Sequence, residues 1–317
     1  MKGVQLDIPA TLENFDERGY LAANPDVAEA VRAGQQASGR IHFEMFGLAE
    51  GRRQLLASRI EALQREKIQR IEPLLKIEMS HIRRGVKYDF LTEELRNATG
   101  IADTNAVSSN VYDLYGIALI EEFKDGLILD CGAGRRSIYY TTVINFDIVD
   151  YSSTDIIGVG EFLPFKDASF DAVISVAVLE HVRDPFQCAG EIVRVLKPGG
   201  KLLCCVPFLQ PVHGYPHHYY NMTPQGLRAL FERRLHIDDQ KVVDSILPIW
   251  SLAWIVKSWA DGLQGTAREE FLSTPLRDLL GSPIDLLDRE WVRLLPVEKN
   301  FELASATLLF ARKPRNE

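Results

Sequence analysis

The sequence predicts an α/β protein: a doubly wound, mostly parallel sheet of about seven strands with helices on both faces. An N-terminal helical segment precedes it, and a helical insert interrupts it before the last strand. Three observations carry this. Short apolar runs without polar alternation recur mid-chain, LILD at 127–130, VINFD at 143–147, DIIGV at 155–159, DAVIS at 171–175 and KLLCCV at 201–206; parallel strands buried on both faces read this way. Helical patterns separate them, SNVYDLYGIALIEEF at 109–123 and DPFQCAGEIVRVLKPGG at 184–200. The first strand also runs directly into Asp130-Cys131-Gly132-Ala133-Gly134, a glycine turn at the carboxyl end of a strand, where open α/β sheets bind ligands.

Taken in order, residues 1–54 form a small helical module. Asn24-Pro25 marks a helix cap and first turn, and Phe43, Phe46 and Leu48 are placed to pack on Tyr20, Leu21 and Val27. So few apolar groups make a poor independent core, so the module is expected to dock on something. Residues 55–84 form an amphipathic connecting helix, with Leu56, Ile60, Leu63, Ile71 and Leu74 at helical spacing and Pro73 as its break. About two heptads fit, which favours an ordinary helix over a coiled coil. Residues 85–317 hold the sheet. In its helix at 184–200, Asp184 is the cap, Pro185 the first turn and Gly199-Gly200 the stop; Ala189, Ile192, Val193 and Leu196 face the core. The insert spans about 245–300, and strand-like ASATLLFAR at 304–312 closes the chain. Segment 245–263 carries three of the four tryptophans and reads as core, lid, dimer face or a peripheral membrane helix.

Net charge of −8 argues against a nucleic-acid partner, since phosphate binding needs a concentrated basic surface. The first residues carry no secretory pattern and no run approaches the roughly 20 apolar residues of a membrane span, so a cytoplasmic location is expected. Cys131, Cys188, Cys204 and Cys205 lie in apolar stretches as small buried groups, with no zinc or disulfide spacing.

The chemistry gathers at the glycine turn. Asp147 ends the second strand 13 residues after Gly134, where an acid accepts hydrogen bonds from the ribose hydroxyls of an adenosine. Alone this fits a dehydrogenase as well, but the third glycine of the dinucleotide fingerprint is replaced by Ser137, and no phosphate-binding lysine follows. Downstream, Leu163-Pro164-Phe165, Phe170-Asp171, Leu179-Glu180-His181-Val182 and Val195-Leu196-Lys197-Pro198-Gly199-Gly200 fall in one order. Over about 110 residues this closely resembles the class I S-adenosylmethionine-dependent methyltransferases, especially the small-molecule subgroup. The resemblance implies a Rossmann-like fold and S-adenosylmethionine as cofactor. It implies that Asp130, Gly132, Ala133 and Gly134 line the methionine end, that Asp147 binds the ribose, and that Ile148 lies against the adenine. Gly160-Glu161-Phe162 would flank the adenine edge and Val176-Ala177 lie beneath the sulfonium. Two departures stand out. The run from Gly134 to Asp147 is short, so the first crossover helix is stunted or replaced by a loop; Val159 also occupies a position where the family has an acid. Arg135 and Arg136 are placed either to pair with the cofactor carboxylate or to stand solvated.

The loop after the fifth strand, PFLQPVHGYPHHYYNMTP at 207–224, supplies His213, His217 and His218; these and His181 are candidate bases or hydrogen-bonded structural histidines. No ligand spacing supports a metal; His217, His218 and Asp184 are the residues of the right type to share one. The N-terminal FDERGYLAANPDVAEAV…HFEMFGLAEGRR resembles a helical module found beside bacterial glycosyltransferase and polysaccharide-assembly domains. That implies O-methylation of a sugar hydroxyl on a glycan or its precursor. A small-molecule methyltransferase for a quinone or secondary metabolite, and a catalytically silent cofactor-binding partner, remain open. A homodimer through the N-terminal helices is a further expectation.

Overall fold

The computed structural model describes residues 3–102, 108–214, 216–309 and 312. It opens with β1 (Val4–Gln5) and β2 (Asp7–Pro9), then α1 (Glu17–Ala23), α2 (Pro25–Arg32) and α3 (Gly39–His42), which continues as a π-helical turn at Phe43–Gly47. β3 (Arg53–Leu55) returns antiparallel along β2. Asn24 precedes α2 at the cap position, but its side chain makes no cap bond; its amide donates to the Tyr20 and Arg53 carbonyls and ties α1 to β3. The module's core is Ala10, Tyr20, Val27 and Phe43. Phe46 and Leu48, expected in it, are exposed, because the π-helical turn brings Gly47 rather than its neighbours against the Tyr20 hydroxyl.

α4 (Ala57–Ile71) ends at a 3-10 turn holding Pro73. It presses Ile68 and Ile71 into the main core and buries Lys67, which pairs with Asp155 at 2.7 Å. A hairpin follows, β4 (Ile82–Arg84) and β5 (Lys87–Asp89), then α5 (Glu93–Thr99) and α6 (Leu114–Glu122). Next come β6 (Ile128–Cys131), β7 (Ile138–Tyr139), β8 (Val143–Asp147), β9 (Ile156–Ile157) and β10 (Phe170–Val176). α7 (Pro185–Val195), capped by Asp184, leads into β11 (Leu196–Cys205). The helix therefore stops before Gly199-Gly200, and 196–200 form a bulged strand start, where Leu196 pairs with Phe170 and Lys201 with Ala172. α8 (Pro224–Phe231) precedes the insert, α9 (Pro248–Asp261), α10 (Gly265–Ser273), α11 (Glu290–Arg293) and α12 (Val297–Leu303).

The sheet runs β11-β10-β6-β8-β9-β5-β4, parallel except for the β4–β5 hairpin. Strand alternation divides the core. Leu129, Ile144 and Val173 face α4, α7 and α8, while Ile128, Val143 and Ala172 face α6. Between β6 and β8 no helix forms. β7 pairs there with β1, and the Leu6 N–H donates to the Ser137 carbonyl at 2.9 Å. Leu6, Leu55, Ile60 and Tyr139 pack together, so the N-terminal module docks where a crossover helix would otherwise cover the sheet.

Two elements differ further from expectation. The connecting helix expected over 55–84 ends at Ile71, and residues 82–84 form β4. Residues 304–309 form no strand, with Leu308 and Leu309 about nine-tenths exposed; Phe310 and Ala311 lie outside the described residues. α12 is held elsewhere: Ser258 and Lys299 bond Glu302, whose carbonyl accepts the Val212 N–H. The sheet still has seven strands because the β4–β5 hairpin extends its other edge.

Candidate active site

Gly132 has φ of +83°, and a Cβ there would sit 2.4 Å from Val178, so both conformation and space demand glycine. The N–H groups of Gly132 and Ala133 donate to the Phe146 carbonyl at 2.9 and 3.0 Å, curling the turn over the end of β8. Gly134 N–H donates to Asp147 Oδ2 at 2.7 Å, and Val149 N–H to Oδ1 at 2.9 Å. Burial pushes the Asp147 carboxyl up to about 6 against the pull of these amides. A carboxylate offers about four acceptor positions, so two amides leave room for a diol. Ile148 packs at the edge of Leu91, Ile157 and Val159, and with Val149, Asp150 and Ile157 lines a cavity of about 530 Å³ that also meets Arg84, Asp89 and Arg96. Val176, the last residue of β10, and Ala177 just beyond it are exposed, Ala177 at φ of +55°, a costly conformation for alanine.

Three of the expected residues are engaged within the protein. Asp130 is buried, and its Oδ2 accepts from Arg136 Nε and Nη2 at 3.1 and 2.8 Å and from the Tyr112 hydroxyl. These bonds, all to one carboxylate oxygen, tie the loop to the segment that carries Tyr112. Arg136 is accordingly neither a cofactor-carboxylate partner nor solvated; its guanidinium lies 4.0 Å over the Tyr112 ring and donates to the Asn110 carbonyl. Glu161 turns inward, where its Oε1 accepts the Arg183 N–H at 3.2 Å and burial raises its pKa. Gly160 fits against Cys188, while Phe162 is exposed. Tyr112, missed by the sequence reading, belongs to a segment laid over the glycine turn, where the Ser108 carbonyl accepts Arg135 N–H at 2.7 Å.

On the other side of β10, the described residues 207–214 and 216–223 fold back over Glu180 and His181. The Glu180 carbonyl accepts Tyr219 N–H at 2.7 Å, and Gly214, at φ of +85°, allows the backbone to pass against the His181 ring, where a Cβ would sit 2.3 Å away. The four histidines separate by their partners. His217 Nε2 bonds the Gly100 carbonyl at 2.8 Å, which takes its side chain out of the cluster. His218 Nδ1 accepts the His213 N–H at 3.0 Å and its Nε2 meets Asn221 Oδ1, so both nitrogens are committed and the ring is neutral. His181 Nδ1 faces the His217 carbonyl at 2.7 Å, and His213 Nδ1 faces the Pro211 carbonyl at 2.9 Å. A carbonyl only accepts, so both Nδ1 atoms carry protons, which fixes the tautomer of the neutral ring as the one with its lone pair on Nε2. Burial lowers the pKa of His181 and of His218. Beneath them Glu180 is fully buried, and neither carboxylate oxygen has a hydrogen-bond partner. Burial pushes its pKa to about 7.

Residues 129–204, which span β6 to β11 of this sheet, match the family described as a methyltransferase domain. Among similar proteins, an uncharacterized protein of Methanocaldococcus jannaschii is 38% identical over 27% of this chain and 43% of its own. The ubiquinone/menaquinone biosynthesis C-methyltransferase of Pasteurella multocida is 29% identical over 50% of this chain and 55% of its own. The demethylmenaquinone methyltransferase of Clavibacter sepedonicus is 30% identical over 43% and 51%. This chain thus spans about half the length of the curated relatives it matches. S-adenosylmethionine fits the residues present: the Gly132 cradle excludes any Cβ, and the Asp147 carboxylate stands at the end of β8 with acceptor capacity to spare. Among the described residues no helix is long and apolar enough to cross a membrane.

Proposed function

We propose that the protein moves the methyl group of S-adenosylmethionine to a sugar hydroxyl of a bacterial glycan or its precursor. The observation that carries this is the convergence of Glu180, His181 and His213 on one another beside the exposed Val176-Ala177 end of β10. In this reading Gly132, Ala133 and Gly134 hold the methionine end, Asp147 accepts the ribose hydroxyls and Ile148 flanks the adenine. The cofactor supplies an electrophilic methyl on a good leaving group, so positioning contributes most, about 7–11 kcal/mol of barrier. A hydroxyl acceptor must also lose its proton, a step worth roughly 10²–10⁴-fold when assisted. Three acceptors converging without a protein donor lower the cost of that ionisation.

A quinone or other small apolar acceptor is the second reading. It is favoured by Trp254 of α9, whose ring lies 5.1 Å from that of His213, and by the relatives named for quinone methylation. In either reading, exposed Ile249, Trp250 and Leu252 suit contact with a membrane surface, and exposed Met45, Phe46 and Leu48 suit a second copy of the N-terminal module. The test supplies methyl-labelled cofactor with lipid-linked glycan, free glycan and demethylated quinone in parallel. Label in glycan supports the first reading, and label only in quinone replaces it with the second. Binding of S-adenosylhomocysteine without transfer to any fraction would instead indicate a catalytically silent partner.

A further inference from the structure

We propose that Glu180, His181 and His213 bind one divalent transition-metal ion at the acceptor side of the site. One ligand atom from each of the three residues lies within 4.8 Å of the other two, and His181 Nε2 stands 3.7 Å from Glu180 Oε1. Protein ligands about 2.0–2.2 Å from a zinc ion stand roughly 3.3 Å apart, so a small approach of the three side chains to one another completes the set.

Three independent features point to a cation. Both Glu180 oxygens are buried without a donor, which is costly unless a positive charge meets them. Both imidazoles donate Nδ1–H to backbone carbonyls, of His217 and Pro211, and this fixes the tautomer with Nε2 free. Metal-binding histidines are characteristically oriented in that way. The mouth is open as well, since a quarter of the His181 side chain is exposed and gives an ion an entry path. Two imidazoles with one carboxylate suit zinc, manganese or iron(II) rather than magnesium or calcium, which favour all-oxygen shells. Three protein ligands leave positions for an acceptor hydroxyl, which a bound divalent ion acidifies. Its proton then leaves through the open mouth to water. The ion's role rests on the acceptor reading above; its binding does not.

Titration of the metal-free full chain with Zn2+ and Mn2+, followed by calorimetry, is expected to give one site per chain. Glu180→Gln, His181→Ala and His213→Ala should each weaken it by about 100-fold, whereas His217→Ala should leave it within about threefold. S-adenosylhomocysteine affinity reports whether each variant is folded. Should the variants fail to fold, Co2+ bound to the wild-type chain reports nitrogen and oxygen ligation by its visible bands. The proposal is overturned by no stoichiometric binding, by Glu180→Gln binding Zn2+ like wild type, by Ca2+ or Mg2+ binding equally well, or by Co2+ bands lacking nitrogen ligation. Stoichiometric metal with no methyl transfer to glycan or quinone would support the metal site and overturn the acceptor reading.

Discussion

On the β8 side of the sheet, buried carboxylates are surrounded by donors. Asp155 is met by Lys67, by the Tyr139 hydroxyl and by Asn145 N–H; Asp130 by Arg136 and Tyr112; Asp147 by two loop amides. At the end of β10, Glu180 is as deeply buried and has no donor at all. A buried charge with partners fixes backbone geometry; one without them stores a demand that something else must meet. The carboxylates of the β8 side are therefore all bonded in the free protein, while beyond β10 one buried carboxyl is left without a donor.

The largest effect should come from breaking the saturated side. Lys67 carries α4 to the sheet, and its ammonium sits 3.5 Å over the Tyr139 ring while bonding Asp155. Lys67→Ala leaves Asp155 charged and buried, so unfolding by urea should show a loss of about 3–5 kcal/mol. A loss below about 1 kcal/mol would mean that the donor-rich side is no more tightly built than the donor-poor one.

Asp147→Asn is expected to act on the ligand rather than the fold. The ribose hydroxyls lose a charged acceptor, a change worth about 1.5–3 kcal/mol, or roughly 10- to 150-fold in S-adenosylhomocysteine affinity. Calorimetry showing affinity unchanged would remove Asp147 from the ribose role.

The pH dependence of cofactor binding follows from the same carboxyl. Burial raises it from 3.8 to about 6, so the free protein binds a proton there as pH falls through 6. Hydrogen bonds from a diol need the ionised form, and affinity should drop roughly tenfold from pH 7 to pH 5. Asp147→Asn should flatten that profile; a wild-type profile already flat over this range would contradict the assignment.

What the sequence showed of this contrast follows its range of interaction. VINFD reads as a strand from local pattern and is one, Val143–Asp147. The short run from Gly134 to Asp147 likewise foretold a crossover without a helix. The β4–β5 hairpin was hidden because its strands, IRR and KYD, are short and polar, as suits a sheet edge. ASATLLFAR has strand composition, but composition does not choose a partner edge, and its described part pairs with nothing. At the site, motif spacing located Asp147 and His181. It could not show that Tyr112 and Arg136 converge on Asp130, nor that the carboxyl in Leu179-Glu180-His181 is buried without a donor, since both depend on chain segments folded over from elsewhere.

The smallest effect is the sharpest test of the donor-poor side. Glu180→Gln removes a buried carboxyl that has no partner to lose and that burial already pushes toward its neutral form, so the usual cost of breaking a buried pair is absent, and replacing such a group is often neutral or stabilising. In metal-free protein the stability change should stay within about 1 kcal/mol, and S-adenosylhomocysteine affinity should hold, because Asp147 and the Gly132 turn are untouched. Lys67→Ala and Glu180→Gln each alter one buried ionisable group in the same domain, so their difference in urea midpoint measures the asymmetry directly. A loss of 3 kcal/mol or more in Glu180→Gln would mean that Glu180 is already satisfied in the free protein, and the two sides would then be built alike.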